Sequence, residues 1–597
     1  MSPLAARSSL AHAPVARPLL VAVDRADAAS ARTVKRAPLA ADIDRDLRAA
    51  CRVEAVARLT LGTYAACLLR RRSHRGLGFV RLADYTRERL GLSARAVEEA
   101  ASVAEKLAHL PRVSAEFRSG ALIWTQARLL ASVATAGTEA SWIRLARTCP
   151  IDALSAAVAA HRAPGHDTTA DFDDDRIDGE DAAVLRVECS GRIRSLWRRA
   201  CELASRMAGE PLSAWRAAEA IAAEGIAARP IGVPIADRVT AALFRLVRRG
   251  LPRDRRSVDT PVPSVESVRE PTHDDPPAVD AQSPLTTAPD ITDPHEIDAR
   301  LVGALHALRT VEPRIGRLLR VLVDHRLYRA FGFRSLDAYV RARLGLSTRK
   351  VWALVRIERA TRGSSRFASA YEEGRLSWAR TLALLPVVDA TTADAWLARA
   401  NTVTVRRLHD EVSWVLDRRD LDGRAASLQP PPADSALGVQ IGARFAPPLP
   451  VTKTGTDRLE IADGEVRFVG PVSVASLMND ALGIFRTSGE PRWRALERLL
   501  VRVISDWEAE APHRDPVFAR DAWRCTVPGC TSRRNLHDHH VRFRSRGGGN
   551  ERANRTTVCA AHHLHGIHAG IVNVTGTAPS ALRWDLPLFS CIGDRYV

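Results

Sequence analysis

The chain repeats itself. GFVRLADYTRERLGLSAR at 78–95 is matched by GFRSLDAYVRARLGLSTR at 332–349, an offset of 254 residues. The offset holds without a gap through Gly120 and Gly374, Trp124 and Trp378, and Trp142 and Trp396. The match resumes at GEP, 209–211 and 489–491, where the offset has grown to 280, so the second copy carries an insertion near 425–465. A fold built from two copies of one unit must close its core twice or share it. The expectation is five regions: a disordered tail over 1–42, copy one over 43–228, a flexible linker over 229–296, copy two over 297–508, and a separate segment over 509–597. The linker assignment rests on Leu251 to Glu296, which holds nine prolines and many acids.

Each copy reads as mostly helical, so the fold class expected is mainly α. Apolar residues recur at three and four, as in Val97, Ala100, Ala101, Ala104 and Leu107. Gly91 and Gly345 stop one helix, and Ser93 and Ser347 cap the next. Helix, Gly-Leu-Ser, helix also resembles a helix-turn-helix, in which Arg95, Arg349 and Lys350 would open a recognition helix. An ordinary tight connection is the favoured reading of the same residues. The paired tryptophans are expected in the core rather than stacked on bases.

The net charge of +18 suggests a polyanionic partner. Only four of the 87 basic residues are lysine, and alanine is abundant. That bias looks like a high-GC genome and weakens an argument from arginine count alone. There is no apolar run of 18 residues, so no membrane span is expected. The first 30 residues make a poor signal peptide, and the cysteines outside the C-terminal segment are scattered. A reduced, cytoplasmic setting fits them.

The chemistry concentrates between Cys525 and His568. Seven of the 18 histidines and three of the nine cysteines fall there. Cys525 and Cys530 flank a Pro528-Gly529 turn, and Cys559 and His562 lie three apart, on one face of a helix. Two pairs of soft or borderline ligands suit one tetrahedral structural zinc. The competing reading is unrelated buried cysteines with a surface histidine. His539 and His540 follow Leu536 in a strand-like stretch, then come a Gly547-Gly548-Gly549 loop, Asn554, and Val558-Cys559 entering a helix. One helical step past His562, His563 turns to another face and can look back at His539. Arg542, Arg544 and Arg546 alternate on the strand after the pair and so line one face. Arg533, Arg534, Arg552 and Arg555 add charge nearby. All are candidates for backbone phosphates, against the alternative of a solvated basic face.

His-His, a glycine-rich loop, Asn and Cys-x-x-His-His resemble the HNH endonucleases and their ββα-metal finger, over roughly 520–570. The resemblance implies that His539 and His563 hold a divalent catalytic metal (Mg, Mn, Ni or Zn), that His540 is the general base, and that Asn554 braces the loop and the base. Members often carry a further ligand one helical turn after the last histidine. Here that position is Ile567. His568, one residue later, is a ligand if the helix unwinds near Gly566, and otherwise meets solvent or phosphate. Asp538 either binds metal or orients an imidazole, and His537 and His565 read as peripheral. The helical copies look like the helical domain of unknown function that precedes HNH modules in high-GC bacteria, which implies no activity. The function expected is a metal-dependent DNA endonuclease. The alternatives are a DNA-binding protein with a non-cutting zinc finger and tandem helix-turn-helix-like modules, and a helical interaction scaffold with a zinc knob.

Overall fold

The computed structural model describes residues 36–162, 176–177, 180–227, 291–422, 427–432, 437, 464–509 and 516–597. The tail over 1–35, the linker over 228–290 and most of the 425–465 insertion lie outside the described residues. The boundaries drawn from sequence shift inward. A helix, α1, already runs over Arg36–Arg71, because Ala40, Ile43 and Leu47 bury a face that the tail assignment ended inside. Pro294 opens the helix Pro294–Asp324, capped by Asp293, so the linker ends before 296.

The protein is mainly helical. Helices in the two matched stretches recur at the sequence offset, with bounds that differ by several residues at the start of the first pair and the end of the last. Arg36–Arg71 (α1) answers to Pro294–Asp324, and Ala94–Ala108 (α2) to Thr348–Gly363. Glu139–Thr148 answers to Ala393–Thr402, and Ile151–His161 to Val405–Asp422. The caps are those expected. Gly91 ends its helix at φ +71, and the Ser93 hydroxyl accepts from the Ala96 amide at 3.2 Å. Ser347 caps Thr348–Gly363 in the same way, from Lys350 N at 3.2 Å. We label Pro294–Asp324 α3, Thr348–Gly363 α4 and Val405–Asp422 α5. Gly62 lets α1 and α2 cross closely, since a Cβ there would lie 2.1 Å from the Ala100 carbonyl oxygen.

The two stretches are not successive domains. α1 packs along α3, and one core joins Ile43 and Leu47 to Leu319, Tyr339 and Val351. Another joins Leu61, Leu68 and Tyr85 to Leu301 and Leu305. Strand β2 (Glu180–Cys189), flanked by the short β1 (Arg176–Ile177), pairs antiparallel with β3 (Gly464–Pro471) from the other stretch, Leu185 opposite Phe468. The helices behind this sheet also come from both, with Trp197 and Ile221 meeting Met478 and Leu499. Sequence-matched residues make reciprocal contacts. The Tyr85 hydroxyl donates to Asp298 at 3.0 Å and Arg89 forks onto the same carboxylate, while Tyr339 donates to Asp44 at 2.9 Å and Arg343 lies 3.0 Å from it. Trp124, Trp142 and Trp396 are core residues, as expected, and Trp378 is half-buried.

Lys350, which the helix-turn-helix reading would place at the start of a recognition helix, is half-buried at the join. Its ammonium lies 2.8 Å from Glu54 and 3.0 Å from Glu312. The glycines of the two Gly-Leu-Ser turns are buried, while Ser93 and Ser347 are exposed. Gly91 backs onto Ser377 and Trp378, and Gly345 onto Ile123 and Trp124. Arg95 and Arg349 stay exposed.

After α5, β3 and its two helices, the C-terminal segment forms the hairpin β4 (Leu536–His540) with β5 (Arg555–Cys559), a short helical turn, and a four-stranded meander. The meander, β6 (Asn573–Thr577) through β9 (Arg595–Tyr596), buries Trp584. Among the described residues, no helix is long and apolar enough to cross a membrane.

Candidate metal centre

β4 and β5 set the frame, with His539 opposite Thr556 and His540 opposite Arg555. β5 ends at Cys559, and the chain turns at once into Ala560–His562 and then a π-turn, His563–Ile567. Two groups of side chains could each hold a metal: Cys525, Cys530, Cys559 and His562, and His539, His563 and His568. Within each, the ligand atoms lie within 4.8 Å of one another.

All four residues of the first group are buried. His562 Nδ1 sits 3.6 Å from Cys525 Sγ and 3.3 Å from Cys559 Sγ. Gly529, at φ +73, makes the turn between the first two cysteines. Burial pushes the Cys525 thiol well up and opposes ionisation of Cys530, but contacts with Cys525, Cys559 and His562 hold Cys530 well down. Burial likewise opposes a charge on His562, yet the Cys530 thiolate and Asp84 push it up to about 10. A thiolate and an imidazolium forced together in a dry site are the donors a zinc ion takes over by displacing the protons.

Residues far away in sequence clasp this group. Arg406 of α5 is buried and donates to the carbonyls of Cys525 (2.7 Å), Val527 (3.1 Å) and Cys530, and it pairs with Asp594 of the meander. Arg87 donates to Gly529 O and to Asp84, and Arg81 Nη1 approaches Cys530 Sγ at 3.6 Å. None of these was visible in the sequence, since nothing local links 81–87 or 406 to 525–530.

The second group depends on the π-turn. Five-residue spacing puts His568 on the face of His563, their Nε2 atoms 3.2 Å apart, with the His568 amide donating to His563 O at 3.1 Å. This is the local unwinding that His568 required, and Ile567 is buried in the core instead. His539 is buried, and its Nε2 has no hydrogen-bond partner among the described residues. A buried imidazole nitrogen without a partner is costly unless something binds it, and a metal fits. Burial, and then the neighbouring His563, His568 and His540, hold His539 down to about 4, so its lone pair is available at neutral pH. Phe543 stacks on His568 at 5.4 Å and meets His539 edge-on.

His537 is not peripheral. Its Nδ1 lies 2.8 Å from His563 Nδ1, which fixes the tautomer and orientation of the His563 ring. His565 is exposed, as expected. Asp538 pairs with Arg555 rather than with an imidazole. Asn554 braces the loop: its amide donates to Gly549 O at 2.8 Å and Arg542 O at 3.1 Å, and its oxygen accepts from the Arg542 amide. Gly548 must be glycine here, as a Cβ would lie 1.9 Å from Arg542 O. The base position is steadied by a different residue, Asn550, whose Oδ1 is 2.9 Å from His540 Nε2.

The arginines are placed differently from the sequence reading. β4 stops at His540, so Arg542, Arg544 and Arg546 do not alternate along a strand. Arg544–Arg546 is a 3-10 turn, Arg542 Nε donates to Arg546 O, and all three are exposed. Arg533 is buried beside Glu202, donates to Ala522 O, and is held down to about 10 by burial. Arg534 reaches Glu210 and Ala208 O, and Arg555 is taken by Asp538. Arg533 and Arg555 are thus occupied within the protein, while Arg534 pairs from an exposed position. Comparison with family models, curated proteins and solved structures gave no match.

Proposed function

We propose that the C-terminal segment is a metal-dependent DNA endonuclease site of the HNH kind, a zinc-stabilised ββα-metal finger carried on a duplicated helical body. One observation carries the reading: the imidazoles of His563 and His568 converge on the unpartnered Nε2 of His539, with His540 next in sequence and held by Asn550. A packing cluster needs no such neighbour. A metal-assisted hydrolysis needs a base beside the ion.

His539, His563 and His568 would hold one divalent ion (Mg, Mn, Ni or Zn). Such an ion polarises the scissile phosphate and steadies the charge on the departing oxygen. His540 gives its Nε2–H to Asn550, so the lone pair is on Nδ1 and takes the proton of the attacking water. A new P–O bond forms, the old one breaks, and the leaving oxygen is reprotonated from solvent. Asn554 keeps the loop closed, and Arg542, Arg544 and Arg546 grip backbone phosphates from it. Cys525, Cys530, Cys559 and His562 bind the structural zinc. Cysteines that form no disulfide among the described residues support a reducing, cytoplasmic setting. The pairing of Lys350 with Glu54 and Glu312 disfavours the helix-turn-helix alternative.

Supercoiled plasmid incubated with the full chain and magnesium, manganese or nickel tests the reading. Conversion to nicked or linear forms, abolished by chelator, is the expected result. No conversion with any of these ions, in protein that retains its zinc, contradicts it.

A further inference from the structure

The helical body presents a carboxylate to the cysteine–histidine group. His562 turns Nδ1 toward Cys525 and Cys559, which makes Nδ1 its ligand atom. The other ring nitrogen, Nε2, lies 3.8 Å from Asp84 Oδ2. Asp84 is 2% exposed; its Oδ1 accepts from Arg87 at 2.7 Å, while Oδ2 has no hydrogen-bond partner among the described residues. Arg81 and Arg87 also lie against the group, at Cys530 and Asp84.

The matched stretch supplies a control. Arg81 and Asp84 correspond to Ser335 and Ala338, whereas Tyr85, Arg87 and Arg89 are kept as Tyr339, Arg341 and Arg343. The matched stretch is helical with alanine in place of the acid, as a regular α-helix over Leu336–Arg343 where Thr86–Leu90 is a π-helix, and it sets its tyrosine and arginine on an acid in the same way. Packing of the helical body does not require a carboxylate at 84.

We propose that Asp84 is a positioning residue for the structural zinc, orienting His562 from the helical body so that metal retention by the C-terminal segment depends on its docking there. The inference rests on the zinc reading of the four ligands and not on the nuclease reading. Ligand-orienting carboxylates of this type are worth about 10–100-fold in metal affinity.

The test compares full-length wild type with Asp84→Asn, Asp84→Ala and Asp84→Glu. Zinc is withdrawn by a chromophoric chelator, and cobalt-loaded protein is followed by its thiolate charge-transfer band. The expected result is a 10–100-fold weaker hold in Asp84→Asn and Asp84→Ala, an altered cobalt band, and partial rescue in Asp84→Glu, with helical circular dichroism unchanged. In a His562→Ala background, Asp84→Asn should add no further loss. Retention equal to wild type in Asp84→Asn overturns the inference alone, as does a loss that persists in full without His562. Loss of helical structure in both Asp84→Asn and Asp84→Ala overturns it too, because the acid would then serve packing. Wild type that binds no zinc overturns the zinc reading itself.

Discussion

Replacing Lys350 by Met sets two readings of one residue against each other. A recognition-helix lysine would lose DNA affinity and leave stability alone. The structure requires the opposite. The Lys350 ammonium pairs with both Glu54 and Glu312, Arg58 also meets Glu54, and Glu54 is only 1% exposed. Breaking such a group by removing one partner costs about 3–5 kcal/mol, because a buried charge is left behind. Lys350 is itself partly exposed, so the lower end applies. The pH dependence gives a second reading. Burial raises the Glu54 pKa, but Arg58 and Lys350 outweigh it and hold the group down to about 2. A folded value below the unfolded one, about 4.3, adds stability above that pH and loses it as the pH falls toward 2. The drop is on the order of 3 kcal/mol. In Lys350→Met, with Arg58 alone opposing burial, the acid loss should begin at a higher pH. Urea unfolding followed by circular dichroism at neutral and acidic pH measures both effects. The exposed neighbour change Arg349→Ala should leave the midpoint in place. An unshifted midpoint in Lys350→Met, together with a sharp fall in duplex affinity, would refute the burial argument.

Arg406→Ala removes the donor to three carbonyls of the cysteine turn and the partner of Asp594. A loss of about 3–5 kcal/mol is expected locally, seen as faster deuterium exchange over 525–530 and easier zinc release; protection equal to wild type would count against the clasp. Asp44→Ala and Asp298→Ala strip equivalent contacts at the two ends of the shared core. Each should lower the unfolding midpoint by a similar amount, about 2 kcal/mol, and a neutral result for one of them would show that the reciprocal contacts are not equivalent.

Much of the site was legible because its information is local. The spacing of Cys525, Cys530, Cys559 and His562, and the order His539, His540, Asn554 and His563, sit within one hairpin, the turn before it and the turn after it. His568 was readable only as a condition, since whether a helix widens into a π-turn depends on how Gly566 and Ile567 pack. His537 was misread because its partner lies across the hairpin. The arginines were misplaced because alternation assumes a strand, and β4 stops two residues before Arg542. In the helical body the offset of 254 found the elements and their caps but not their arrangement. Two units in series and two units sharing a sheet and cores have the same local pattern. Only long-range contacts such as Leu185 with Phe468, or Tyr85 with Asp298, distinguish them. The clasp by Asp84, Arg87 and Arg406 was invisible for the same reason.

The central claim is that His540 acts as a base beside a metal held by other residues. The most direct measurement pairs single-turnover plasmid cleavage with metal titration of His540→Ala. The account predicts cleavage reduced by about 10²–10⁴-fold, the usual contribution of a general base, with metal affinity and zinc content unchanged. Cleavage at the wild-type rate, or activity lost only because the metal is lost, would contradict it.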